Sequence, residues 1–148
     1  SSSEAETSDE EISLSGYHIL LAEDNLLNLE IAEFILTDAG AVVTKACNGE
    51  EALHLFMESS PCEYDIILMD IMMPVMDGYQ TTRAIRSLDR PDAKTIPILA
   101  MTANAFAEDR QKTYAAGMNE HLTKPLDTEL LLKTIAKYTP EKKAPMTP

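Results

Sequence analysis

Apolar positions along this chain switch repeatedly between two periods. Tyr17–Ala22 is a short continuous apolar run, the pattern of a strand buried on both faces. Asn25–Ala39 then carries Leu27, Ile31, Ala32, Ile35, Leu36 and Ala39 at helical spacing, and Gly40 stops it. The wheel predicts a core side of Leu27, Ile31, Ala32, Ile35 and Ala39, with Leu26 opposite and Phe34 off the core edge, among Glu30 and Glu33. Ala41–Ala46, rich in valine and threonine, predicts a strand, and Asn48-Gly49 a turn into a short helix over Glu50–Ser59. Asp65–Asp70 predicts a fully buried strand, followed by a loop with Pro74 and a helix near Gly78–Leu88. Asp89–Thr95 reads as a polar loop containing Pro91, and Ile96–Met101 as the fourth strand. A helix over Glu108–Ala116 ends at Gly117, Glu120–Thr123 is a fifth short strand, and Asp127 caps a last helix reaching about Tyr138.

Five β–α units in alternation predict an α/β fold: a five-stranded parallel sheet, doubly wound, with helices on both faces and right-handed crossovers. Residues 1–15 read as a disordered leader, 16–139 as one domain and 140–148 as a tail or linker. The chain has 148 residues, one domain's worth, and no apolar run approaches the ~18 residues of a membrane span. The serine-rich acidic start lacks the features of a signal peptide. Cys47 and Cys62 are expected as free thiols in a reducing, cytoplasmic setting.

Charge sharpens this picture. The net charge is −13, which disfavours nucleic-acid and anionic-membrane partners. Residues 1–82 hold 17 acids and the single base Lys45, whereas residues 83–148 hold 8 acids and 11 bases. Five of the acids lie in the first eleven residues. The others include acids at strand ends, and in open α/β sheets the carboxyl ends of strands are where ligands bind.

Glu23 and Asp24 follow the first strand, Asp70 ends the third, Thr102 the fourth and Lys124 the fifth. Three carboxylates brought together cannot all remain ionised without compensation. Lys124 offsets one charge, and a divalent cation is the natural remedy for the rest. An oxygen-only donor set without a His or Cys cluster favours Mg²⁺ over zinc. Metal and ammonium together can neutralise a phosphoryl group's oxygens, and the central carboxylate, Asp70, can then act as nucleophile and form an aspartyl phosphate.

The motifs around these residues are Leu-Leu-Ala-Glu-Asp-Asn (20–25), Asn-Gly-Glu-Glu-Ala-Leu (48–53), Asp-Ile-Ile-Leu-Met-Asp-Ile-Met-Met-Pro-Val-Met-Asp-Gly (65–78), Ala-Met-Thr-Ala-Asn-Ala (100–105), Ala-Ala-Gly-Met-Asn (115–119) and Leu-Thr-Lys-Pro-Leu (122–126). In this order, over about residues 17–138, the chain resembles a receiver domain of the two-component response-regulator family. The resemblance is strongest to receivers attached to hybrid histidine kinases. It implies a flavodoxin-like (βα)5 fold with strand order 2-1-3-4-5. It implies Asp70 as phosphoacceptor and Mg²⁺ held by Glu23, Asp24, Asp70 and the backbone carbonyl of Met72. It makes Thr102 the switch hydroxyl and Lys124 the phosphoryl-pairing lysine, with a cis Lys124–Pro125 bond. Met72 and Asn104 flank the site at positions expected to tune hydrolysis. The implied donor is a phosphohistidine on a histidine kinase or a phosphotransfer protein, docking over the first helix, with Leu26 and Phe34 on the docking face.

One position departs from the family pattern. His121 stands where an aromatic switch residue is usual, and is expected as an exposed polar side chain or a pH-sensitive variant of the switch. None of His18, His54 and His121 has the helix-bundle setting of a phosphotransfer histidine. Arg110, Lys112, Lys133 and Lys137 give the later helices a basic face that would suit an acidic partner. Three other readings compete. A haloacid-dehalogenase-like Mg²⁺ phosphatase needs a second Asp at the position of Met72. An FMN module needs a Ser/Thr-rich loop where Asn25-Leu26-Leu27-Asn28 stands. A scaffold without chemistry would not need every site position filled by a competent residue.

Overall fold

Five strands form one parallel sheet: β1 (His18–Ala22), β2 (Val42–Ala46), β3 (Ile66–Asp70), β4 (Ile98–Thr102) and β5 (Glu120–Thr123). Their order across the sheet is β2-β1-β3-β4-β5, the flavodoxin-like order expected. Among the described residues, six helices follow or connect them: α1 (Leu26–Asp38), α2 (Gly49–Glu58), α3 (Gly78–Arg86), α4 (Pro91–Thr95), α5 (Ala107–Ala116) and α6 (Thr128–Tyr138). The structure, a computed structural model, describes residues 12–103 and 107–140.

The central strands are buried along their whole length, which is why Ile66–Asp70 and Ile98–Thr102 read as apolar up to their last residues, Asp70 and Thr102. Their side chains alternate between two cores. Ile19, Leu21, Ile66, Leu68, Leu99, Met101 and Leu122 pack against α1 and α6. Leu20, Ala22, Ile67, Met69, Ile98 and Ala100 pack against α2, α3 and α4. Four helices begin where a side chain caps them: Asn25, Asn48, Asp77 and Asp127 accept from backbone N–H groups of α1, α2, α3 and α6.

Three expectations are corrected. Helix α1 buries Leu29, Ala32 and Leu36, while Leu27 and Ile31 are exposed. The helix is apolar nearly all round, so its spacing selects no single face, and the fit of Leu29, Ala32 and Leu36 against the sheet decides. The segment read as a polar loop contains α4. Pro91 starts that turn, and Arg90 anchors it by bonding Asp92 at 2.7 Å and the carbonyls of Phe56, Ser59 and Ser60. The fourth strand accordingly starts at Ile98 rather than Ile96. Leu14, inside the leader expected over residues 1–15, is fully buried and its N–H bonds the Ala39 carbonyl at 2.7 Å. Residues 1–11, with their five acids, lie outside the described residues, as do Asn104 and the tail from residue 141.

Arg86 is a second anchor. Its guanidinium donates to the carbonyls of Gly117 and Ala93 and to the Asn119 side chain, tying α3 to the starts of α4 and β5. Burial holds its pKa below the usual arginine value. Cys47 and Cys62 are free and exposed, as expected. Among the described residues no helix is long and apolar enough to cross a membrane.

Because Leu14 belongs to the core rather than to a leader, Leu14→Ala is expected to lower unfolding stability by about 2–4 kcal/mol. Urea denaturation followed by circular dichroism measures this, and an unchanged midpoint would return residues 12–15 to the leader.

Candidate functional site

The carboxyl edge of the sheet collects the acids. Glu23 continues β1 by one residue, its N–H bonding the Ala46 carbonyl at 3.1 Å. The Asn25 N–H then holds the Glu23 carboxylate at 3.1 Å, while the Asn25 side chain caps α1. Asp70 closes β3, the middle strand, between β1 and β4. The turn after it is tight. Ile71 N–H bonds the Met101 carbonyl, Gly78 N–H bonds the Ile71 carbonyl, and a Cβ on Gly78 would sit 2.5 Å from the Asp70 carbonyl oxygen. Glycine is therefore required at 78 by close approach to the backbone of Asp70.

Glu23, Asp24 and Asp70 each offer a carboxylate oxygen, and these lie within 4.8 Å of one another. Glu23 and Asp70 are buried, and Asp24 is exposed at the mouth. The Lys124 ammonium stands 3.0 Å from Glu23 and 3.2 Å from Asp70. Its backbone is held by a 2.7 Å bond from its N–H to the Thr102 carbonyl, and the following bond to Pro125 is cis, as expected.

This crowding has an electrostatic signature. Burial first, and then the neighbouring Glu23 charge, push Asp70 up from 3.8 to about 7, although Lys124 pulls the other way. Burial alone would lower Lys124, but the two carboxylates outweigh it and raise its pKa. The group thus has more negative charge than one ammonium offsets. An oxygen-only cluster of this kind matches the donor set of a hard divalent cation.

Thr102 ends β4, buried, on the face turned toward α2–α4. His121 lies opposite Ala100 in the β4–β5 register, one step back on that same face, and is half-buried rather than exposed. The alternation of β5 accounts for this, since Leu122 faces the other core. The Met72 side chain is 75% exposed, and its N–H approaches Asp70 at 3.4 Å. Leu26 and Phe34 are 68% and 69% exposed on α1.

Helical spacing predicts Leu27 and Ile31 in the core, whereas both lie on this surface. Ile31 lines a small cleft with Asn28, Leu126, Pro125 and Lys124, directly beside the site. The low apolar contrast around α1 was the available signal. On the basic face, Lys133 and Lys137 pair with Glu129 and Glu120, at 3.1 and 3.6 Å.

Comparison with known proteins agrees with this arrangement. The family model "Response regulator receiver domain" matches residues 19–136. Hybrid signal transduction histidine kinase I of Dictyostelium discoideum is 37% identical over 135 residues, covering 87% of this chain and 8% of that protein. Sensor histidine kinase GacS of Pseudomonas protegens is 36% identical, covering 88% of this chain and 14% of that protein. The chain therefore spans only a small part of these curated relatives. Among solved structures, the receiver domain of sensor histidine kinase PA1611 from Pseudomonas aeruginosa, with magnesium in its active-site cleft, superposes with a TM-score of 0.77 at 37% identity. That match covers 85% of this chain and 99% of the other. The receiver domain of Ssk1, crystallised with the Saccharomyces cerevisiae histidine phosphotransfer protein Ypd1, gives 0.75 at 26% identity, covering 86% and 92%. With the family model spanning nearly all of the folded body, the chain belongs to the response-regulator receiver domain family.

Proposed function

We propose that this domain is the phosphoacceptor of a phosphorelay and that Asp70 receives the phosphoryl group. The observation that carries this is the position of Asp70: buried at the end of the middle strand, 3.2 Å from Lys124 and clustered with Glu23 and Asp24. An Asp70 oxygen attacks phosphorus, the P–N bond of a phosphohistidine breaks, and its electron pair returns to the imidazole ring. The product is an acyl phosphate on Asp70.

Glu23, Asp24, Asp70 and the Met72 carbonyl would hold Mg²⁺, which supplies charge neutralisation for the phosphoryl oxygens. Lys124, already beside Asp70, pairs with the transferred group and keeps its charge because two acids face it. The Thr102 hydroxyl turns toward the phosphoryl group, and the space it leaves lies on the face that His121 occupies. Thr102 and His121 are then the moving parts of the switch.

The donor is a histidine kinase or a histidine phosphotransfer domain, and it docks on α1 through Leu26 and Phe34. The Ssk1 complex with Ypd1 supports that class of partner. Kinship with receivers of hybrid histidine kinases supports a place within such a kinase.

Three outcomes are expected. Incubation with acetyl phosphate and Mg²⁺ adds one phosphoryl mass to the native protein and none to Asp70→Asn, as read by intact mass spectrometry. An adduct on both, or on neither, would contradict the assignment.

Leu26→Ala slows phosphoryl transfer from a limiting protein donor by about fivefold, the usual scale for an interface side chain. Uptake from acetyl phosphate reports whether the site itself is intact.

The raised pKa of Asp70 makes a third, pH-dependent prediction. Between the unfolded value of 3.8 and about 7 the folded state binds the extra proton, so ionising Asp70 costs stability as pH rises. Asp70→Asn removes that cost. In metal-free buffer its gain in Tm is expected to be larger at pH 8 than at pH 5, and Mg²⁺ is expected to narrow the difference. A gain that does not vary with pH would refute the electrostatic account.

A further inference from the structure

A cavity of about 320 Å³ opens at the seam between α3 and α5. Asp77, Tyr79 and Arg83 line it from α3 and its cap, and Lys112 and Ala115 from α5. Glu23, Asp24 and Asp70 are not among its lining residues. Tyr79 and Arg83 are one helical turn apart, so α3 presents them on the same face. Ten basic side chains stand among the described residues. Seven meet a carboxylate or a backbone carbonyl, and Arg83, Arg110 and Lys112 do not. Acids are plentiful in a chain of net charge −13, yet two of these three cations face one cavity without one. They serve no bond of the fold.

The lining defines what fits. A guanidinium and an ammonium are donors only, so their counterpart is an anion, and a phosphate accepts from both. Tyr79 is half-buried and offers a ring to a flat group. One oxygen of Asp77 accepts from the Gln80 N–H as the cap of α3, at 2.8 Å, and a carboxylate has a second oxygen to accept from a ligand hydroxyl. A bare anion would be repelled by Asp77. A phosphate ester with hydroxyls and a flat ring satisfies all four side chains, and the volume suits a small molecule of that kind. The net charge repels a polyanion over its whole length, whereas a small ligand feels chiefly the charges within a Debye length, about 10 Å at 0.1 M salt.

We propose that the α3–α5 cavity binds a nucleoside monophosphate. Arg83 and Lys112 hold the phosphate, the Tyr79 ring lies against the base and Asp77 accepts from a ribose hydroxyl. The site is separate from the acidic cluster and needs neither Mg²⁺ nor phosphoryl transfer. It bridges α3, which starts after the loop leaving Asp70, and α5, which follows the strand that ends in Thr102.

Titration of the ¹⁵N-labelled protein with AMP, in metal-free buffer at low ionic strength, tests this by nuclear magnetic resonance. The amides of Tyr79, Arg83 and Lys112 are expected to move most, along a saturable curve. Largest shifts at Glu23, Asp70 and Lys124 would place the ligand in the acidic cluster and overturn the proposal, as would the lack of any saturable shift in the millimolar range. Arg83→Gln and Lys112→Gln are each expected to raise the Kd for AMP about fivefold, and an unchanged Kd in both overturns it. Both side chains are exposed, so the fold is expected to persist in each variant. Inorganic phosphate and adenosine are expected to bind about tenfold more weakly than AMP. Phosphate binding as tightly as AMP removes the role of Tyr79 and Asp77, and adenosine binding as tightly removes that of the two cations. Either result overturns the proposal.

Discussion

Two buried carboxylates, Glu23 and Asp70, lean on the same ammonium, and a third acid, Asp24, stands at the mouth above them. Burial and repulsion both oppose ionisation here, and one lysine offsets only part of the charge. These four residues come from the ends of three strands, or from the turns just after them. Only a parallel sheet with this strand order brings those ends together, and only an apolar interior under them keeps water from relaxing the conflict. The fold thus stores an unmet electrostatic demand at one edge. Cation binding and phosphoryl chemistry are two ways of meeting it.

Close packing of the connecting loops maintains that demand. Gly78 lies on the backbone of Asp70 and Gly49 on the carbonyl of Met76, so neither the β3–α3 loop nor the start of α2 can move without the other. On the far side, Arg86 and Arg90 fasten α3 and α4 by bonds to backbone carbonyls, a rigid backing for β4 and β5. Thr102 and His121 share a face of two adjacent strands. That arrangement suits a switch that changes rotamers on a fixed frame.

Much of this was legible in the residues. Apolar runs over 66–69 and 98–101 identify strands covered on both faces, and the polar residues that end them, Asp70 and Thr102, mark the site edge. Thr102 and Lys124 carry no signal alone and gain it only through their joint placement on strand ends. Other features are tertiary and were not readable. The inward face of α1 is chosen by the sheet, because Leu27 and Ile31 are as apolar as Leu29 and Leu36. The α4 turn depends on Arg90 reaching carbonyls some thirty positions earlier in the chain. Leu14 looked like the end of a polar leader until Ala39 and the α1–α6 core were placed around it. Val75 has φ 71° and its neighbour Met76 packs on Gly49, a fit that no local pattern encodes.

The Tyr17 hydroxyl and the Thr139 hydroxyl meet in a buried 2.7 Å hydrogen bond. Tyr17 precedes β1 and Thr139 follows α6, so the incoming and outgoing chain leave the body side by side at the amino edge of the sheet. Asp70 and the acids clustered with it are at the opposite edge. A connection to further chain made at that edge would leave the acidic cleft and the proposed α1 docking surface uncovered. In a longer polypeptide joined there, the rate of meeting the proposed donor would depend on tether length and local concentration.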